Sequence, residues 1–285
     1  YYNLSPKQVF VGVGSDDVLA MIFMTFFNGK KPILFPNITY SFYDVWTDVY
    51  RIPYETVPLR DDFALDPDAF AKDNGGIVIA NPNAPTGLAL CRSEIEAMLQ
   101  ARPDRIHVID EAYVDFGAES VLPLVERYDN LLVIQTFSKA RSMAGARLGF
   151  AIGQAPLIRD LNTLKYSTNP YNVNRMTAAA GVAALKEDDY YRENAKQIME
   201  NRAWTVAELR RMGFEVTDSM SNFLFARSAR MDGGELYRRL KERGVLVRHF
   251  DKPRISAYIR VTVGTREQME VFIRETETLL EEAEP

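Results

Sequence analysis

The chain has 285 residues, 47% of them hydrophobic and 26% charged, and its net charge of −5 is spread over both signs. That is enough for one large domain with a smaller companion, and it offers neither a basic run for nucleic acid nor an acidic solvating tail. A lone cysteine, Cys91, excludes an internal disulfide and suggests a reducing cytoplasm, and with only two histidines, His107 and His249, no metal site of the zinc type is expected.

The apolar stretch 18–27 is too short to span a bilayer, and there is no signal-peptide pattern, so no membrane partner is expected. The chain opens on Tyr1 and reaches strand-like sequence within about a dozen residues, so it reads as a piece whose beginning is removed.

In chain order, the apolar spacing predicts a strand at 9–13, a helix at 16–27, a strand at 32–35 and a helix near 43–50. Further strands are expected at 77–80, 106–109, 131–135 and 148–152, with a helix at 94–101 between two of them. This alternation predicts an α/β fold with a mostly parallel sheet flanked by helices. From 172 to 212 the pattern becomes helical, with two helices, the second near 188–212. Strands at 214–216, 223–226, 245–247 and 258–263, with helices at 234–243 and 265–282, then suggest a smaller α+β unit. We place the larger unit at 1–186 and the smaller at 187–285.

Five segments can carry chemistry. Thr136-Phe137-Ser138-Lys139 ends a strand, where a lysine is placed to form a Schiff base with an aldehyde cofactor; Arg147 and Ser138 can hold a phosphate. Taken alone, they also fit an ordinary surface loop. Asp110 follows an apolar strand directly, where it faces the ligand crevice of an open α/β sheet and can hold a pyridine nitrogen protonated; it also fits a helix N-cap. Gly12-Val13-Gly14-Ser15-Asp16-Asp17 before a helix makes a phosphate seat or a plain cap, and lacks the third glycine of a dinucleotide fingerprint. Asn81-Pro82-Asn83-Ala84-Pro85-Thr86-Gly87 is a rigid turn, with an X-Pro bond expected in an unusual state. Arg248 and Arg260 close the set. An arginine inside a buried strand needs an anionic partner, either a structural carboxylate or, as favoured here, a substrate anion. His107 reads as satisfied in the core and His249 as a polar loop residue.

These segments, in this order, resemble the fold-type I pyridoxal-phosphate (PLP) aminotransferases over nearly the whole chain, and within them most nearly the histidinol-phosphate aminotransferase family. The resemblance is carried by Asp110-Glu-Ala-Tyr-Val-Asp-Phe116, Thr136-Phe-Ser-Lys139, Pro170-Tyr-Asn-Val-Asn174, Val247-Arg-His-Phe250 and Ile259-Arg-Val-Thr-Val-Gly-Thr265. It implies that Lys139 binds the cofactor covalently, Asp110 pairs with its ring nitrogen and Tyr113 bonds its phenolic oxygen. It also implies that Tyr40 stacks on the ring, while Gly14, Ser15, Ser138 and Arg147 hold the phosphate; Asp16 joins the cofactor-binding residues through its N–H at the helix start. Arg260, helped by Arg248, would bind the distal anion of histidinol phosphate in one half-reaction and of glutamate or 2-oxoglutarate in the other. It further implies a cytoplasmic homodimer in histidine biosynthesis, with the 171–172 loop near the partner's site.

The chain departs from the family's pattern in two places. Ala84 stands where the family has an asparagine on the phenolic oxygen, so either Asn83 substitutes for it or Tyr113 acts there alone. The family's N-terminal arm is not found, which keeps a truncated PLP-binding protein of weak activity as an alternative. An aromatic amino-acid aminotransferase or an amino-acid-phosphate decarboxylase on the same scaffold is the other.

Overall fold

The computed structural model describes residues 1–283. Its main sheet has seven strands: β1 (Val9–Gly12), β2 (Ile33–Pro36), β3 (Tyr54–Val57), β4 (Gly76–Ala80), β5 (His107–Asp110), β6 (Leu131–Thr136) and β7 (Gly149–Gly153). They lie in the order β1-β7-β6-β5-β4-β2-β3, parallel from β6 to β3, with β7 antiparallel to both β6 and β1. The central strands are buried throughout, because helices cover both faces.

Alternate residues of each strand feed the two cores. Val78, Val108, Leu132 and Ile134 pack with α1 (Ser15–Phe26) and α2 (Phe42–Tyr50), and this core also takes in α4 (Ala155–Thr168). Ile77, Ile79, Ile109, Leu131 and Val133 pack on the other side with α3 (Arg92–Ala101) and, through Ala184, with α5 (Arg175–Lys186).

A second sheet, β10-β11-β9-β8, is antiparallel throughout and is built from β8 (Phe214–Val216), β9 (Phe223–Ser228), β10 (Arg248–His249) and β11 (Tyr258–Thr262). One face packs Leu224, Ala226, Ile259 and Val261 against α7 (Gly233–Glu242), α8 (Arg266–Glu282) and the end of α6 (Asp188–Arg211). The other face presents Phe225 and Tyr258 to Ile38, Leu59 and Phe63 of the first unit. Helix α6 meets both layers, with Ala195 beside Phe116 and Ala140 and Leu209 in the second core.

One expectation needs correcting, and two elements were missed. The strand expected at 245–247 forms instead at Arg248–His249, where Arg248 pairs with Arg260. The edge strand β3 and helix α4 were not anticipated. No helix among the described residues is long and apolar enough to cross a membrane.

Candidate active site

Parallel strands that share a register end along one edge. Ala80 pairs with Asp110 and Asp110 with Ile134, so β4, β5 and β6 deliver Pro82, Asp110 and Ser138-Lys139 to the same rim. The β1–α1 turn arrives from the side, because β1 pairs with β7 and places Gly12 opposite Gly149. Together these segments enclose a cavity of about 130 Å³ whose walls include Lys139, Asp110, Tyr113, Tyr40, Ser138 and Arg147. Lys139 and Asp110 therefore face one space, and so do the two ends of the site read from the sequence.

One end is a cradle for an anion. Helix α1 starts at Ser15 after Gly14, which has φ 85 and no side-chain cap, so neither Ser15 nor Asp16 caps the helix. Its first N–H groups are left to a ligand, at the positive end of the helix dipole. A Cβ on Gly14 would stand 2.5 Å from Arg147 Nη2, so only glycine lets the guanidinium lie against the turn. Arg147 Nη2 donates to Asp16 Oδ2 at 3.1 Å, and Tyr40 OH donates to Asp16 Oδ1 at 2.8 Å. The Ser15 and Ser138 hydroxyls have no protein partner among the described residues.

The other end is a buried carboxylate. Asp110 is 5% exposed, and burial pushes it up to about 6 against the pull of its two donors, Tyr43 OH at 3.1 Å and Ala112 N at 3.1 Å. It caps no helix; the short helix that follows begins after Tyr113. Tyr43 is wholly buried in α2, and burial together with the Asp110 charge pushes its phenol well above the usual range. It therefore acts as a donor that aims the carboxylate. Nothing in the local sequence marks Tyr43 as different from a core aromatic.

Lys139 Nζ makes no hydrogen bond or ion pair among the described residues and stands 5.2 Å from the centroid of the Tyr113 ring. Tyr113 in turn meets Phe223 edge-on, at 5.0 Å between centroids.

Tyr40 and Ala84 also line a second cavity of about 630 Å³, with Arg248 and Arg260 on its far wall. Arg260 has no carboxylate partner among the described residues. Its guanidinium lies 5.0 Å from the Phe223 ring and 5.7 Å from the Phe250 ring, and its Nε is buried without a hydrogen bond. Arg248 shares the Phe250 ring at 5.4 Å. Burial above all, with the Arg248 charge acting in the same direction, holds Arg260 below its usual range.

Asn83 stands apart. Its Oδ1 accepts from Thr39 Oγ1 at 2.7 Å, and its Nδ2 donates to Ile38 O and Thr86 Oγ1, both at 3.0 Å. The amide is spent on closing the turn, so it is not available to replace an asparagine at Ala84. The peptide bonds before Pro82 and Pro85 are both cis.

His107 is buried with Nδ1 against Arg105 O at 3.0 Å, but its Nε2 lacks a partner, and burial lowers it to about 4. His249 Nε2 lies 2.7 Å from Ser256 O. Glu111, unremarked in the sequence, is buried beside Asp110 on the opposite face and accepts from Gln135 Nε2, Ser120 Oγ and Val121 N.

These groups fit pyridoxal phosphate. Unspent donors at a helix start, a cradle that a Cβ would fill, a buried acid and an unpaired amine share one cavity.

Residues 1–275 match the model of the family aminotransferase class I and II. Over 274 residues the chain is 47% identical to a histidinol-phosphate aminotransferase of Lactococcus lactis subsp. cremoris, covering 96% of this chain and 77% of the relative. It is 50% identical to histidinol-phosphate aminotransferase 1 of Bordetella parapertussis, covering 95% and 77%. The fold superposes with a TM-score of 0.89 on the Sinorhizobium meliloti histidinol-phosphate aminotransferase, solved in complex with pyridoxal-5'-phosphate, at 21% identity over 99% of this chain and 79% of that one. The chain belongs to the aminotransferase class I and II family, and it is a PLP-dependent enzyme of the histidinol-phosphate aminotransferase kind.

Proposed function

We propose that this enzyme transfers the amino group of histidinol phosphate to 2-oxoglutarate, in the cytoplasm, as a step of histidine biosynthesis. The observation that carries this reading is that the two cavities adjoin, with Tyr40 and Ala84 lining both. An unpaired amine lies in one and unpaired guanidinium groups in the other, and the histidinol-phosphate aminotransferase relatives supply the substrate.

When bound, the cofactor supplies an electron sink that stabilises negative charge on the substrate carbon. The chain's own residues do the rest. The first N–H groups of α1, Ser15, Ser138 and Arg147 would hold the phosphate, with Asp16 orienting Arg147 and Tyr40. Asp110, aimed by Tyr43, would keep the ring nitrogen protonated in a water-poor site. Lys139 would hold the cofactor and, once displaced by the amino donor, carry a proton between neighbouring carbons. Tyr113, beside Lys139, would steady the phenolic oxygen. Arg260 and Arg248 would grip the distal phosphate of one substrate and the distal carboxylate of the other, since both offer paired oxygens to a planar fork.

A homodimer is part of the reading. Tyr166 on α4, Tyr171 in the loop that follows, and Met176 and Val182 on α5 stand exposed, which favours a covered face. Light scattering of the purified protein tests it: a monomer at micromolar concentration would exclude it.

Initial rates with histidinol phosphate, phenylalanine and threonine phosphate, each with 2-oxoglutarate, test the substrate. Histidinol phosphate is expected to be the fastest donor. Faster turnover of phenylalanine, or carbon dioxide release from threonine phosphate, would overturn the choice.

A further inference from the structure

Four cations line the larger cavity: Arg248, Lys252, Arg254 and Arg260. One is spent inside the protein. Arg254 donates from Nη1 to Leu59 O at 2.9 Å and from Nη2 to Arg60 O at 2.6 Å, and it lies 5.5 Å from the Phe63 ring centroid. The side chains of the other three have neither a carboxylate nor a carbonyl partner among the described residues. Like charges gathered in one cavity repel, and among the described residues the ion pair they make is Arg254 Nη2 with exposed Asp61 Oδ1, at 4.0 Å. The wall is suited to an anion of more than one charge.

The backbone of Lys252 is held by its own loop, and its side chain is exposed at the cavity. Its N–H donates to Phe250 O at 2.9 Å, its carbonyl accepts from Ile255 N at 3.2 Å, and Arg254 fastens the same loop to the 59–60 carbonyls. Its ammonium is a point charge, which senses a ligand's net charge, whereas the arginine forks sense paired oxygens. A phosphate monoester carries close to two charges above its second pKa of about 6, and a carboxylate carries one.

Building on the substrate reading above, we infer that Lys252 is a specificity-determining residue that favours a dianionic phosphate monoester over a single carboxylate in the Arg248–Arg260 cavity. Coulomb attraction scales with ligand charge, so losing Lys252 costs the dianion about twice the energy it costs the monoanion.

The test uses the PLP-loaded full chain with Lys252→Gln and Lys252→Arg. At pH 8 the Gln variant is expected to raise the KM for histidinol phosphate about tenfold and that for 2-oxoglutarate about threefold, with kcat held. At pH 5, where the phosphate is mostly a monoanion, the two effects should converge, and Lys252→Arg should restore most of the loss. Inorganic phosphate gives an arm independent of turnover: by calorimetry at pH 8, its affinity should fall about tenfold in Lys252→Gln. Equal rises in both KM values at pH 8, or an unchanged phosphate affinity, would overturn the assignment. If phosphate binding depends on Lys252 while histidinol phosphate is not turned over, the Lys252 assignment stands and the substrate reading falls.

Discussion

Gly149 lies against the peptide that joins Gly14 to Ser15: a Cβ at 149 would stand 2.4 Å from Ser15 N and 2.5 Å from Gly14 C. Both contacts are with backbone, so neither can rotate away. Gly149→Ala is expected to cost about 1–3 kcal/mol of stability by overpacking. The turn at the start of α1 should also be displaced, and cofactor affinity should fall about tenfold. Thermal melts and PLP titrations of both proteins check this; unaltered affinity would mean that the turn does not hold the phosphate.

Replacing the unpaired amine tests the centre of the site. Lys139→Ala should lower transamination at least a thousandfold, on the order expected when a covalent and proton-transfer group is lost. Borohydride reduction of the wild type followed by peptide mapping should place the cofactor on the peptide containing Lys139. A label on any other lysine would move the site.

Asp110 is expected to make cofactor binding depend on pH. Burial pushes its carboxyl up to about 6. A positively charged ring nitrogen opposite it would lower that value, so binding below pH 6 must expel a proton. PLP affinity is therefore expected to fall as pH drops through about 6 and to level off above it. Asp110→Asn should remove the share of this dependence set by Asp110, leaving that of the cofactor's own phosphate, and slow turnover by about two orders of magnitude. An Asn variant with the wild-type pH profile would assign the dependence to another group.

Glu111 affects stability instead. Burial pushes it up to about 7 from an ordinary 4.5, against the pull of three donors. The folded chain thus holds a proton that the unfolded chain releases, and this stabilisation is lost as pH rises from about 4.5 through 7. Glu111→Gln should be less stable at pH 5, because its amide faces donors, and the gap to wild type should narrow by pH 8. Melting temperatures of both proteins across that range decide it; a widening gap would refute it.

Much of the site was legible because strand ends are legible. Asp110 and Lys139 each follow an apolar run directly, and a parallel sheet brings such ends to one edge. The exposed edge strand β3 was hidden: Tyr54, Glu55 and Thr56 face water, and prolines flank the run, so the usual alternation is absent. Tyr43, the donor beneath Asp110, was hidden for a different reason. Its role comes from α2 crossing the end of β5, a contact between residues 67 apart. Asn83 shows the converse. Its neighbours suggested a ligand contact, and its hydrogen bonds to Ile38, Thr39 and Thr86 show a structural one.

The ring of Phe63 meets Phe225 and Tyr258 edge-on, at 5.7 and 5.2 Å, while those two stack at 4.5 Å. With Arg254 pinned to the adjoining carbonyls, this seam fastens the second sheet to the 59–63 turn of the first unit, so a change at Phe63 is expected to loosen both at once.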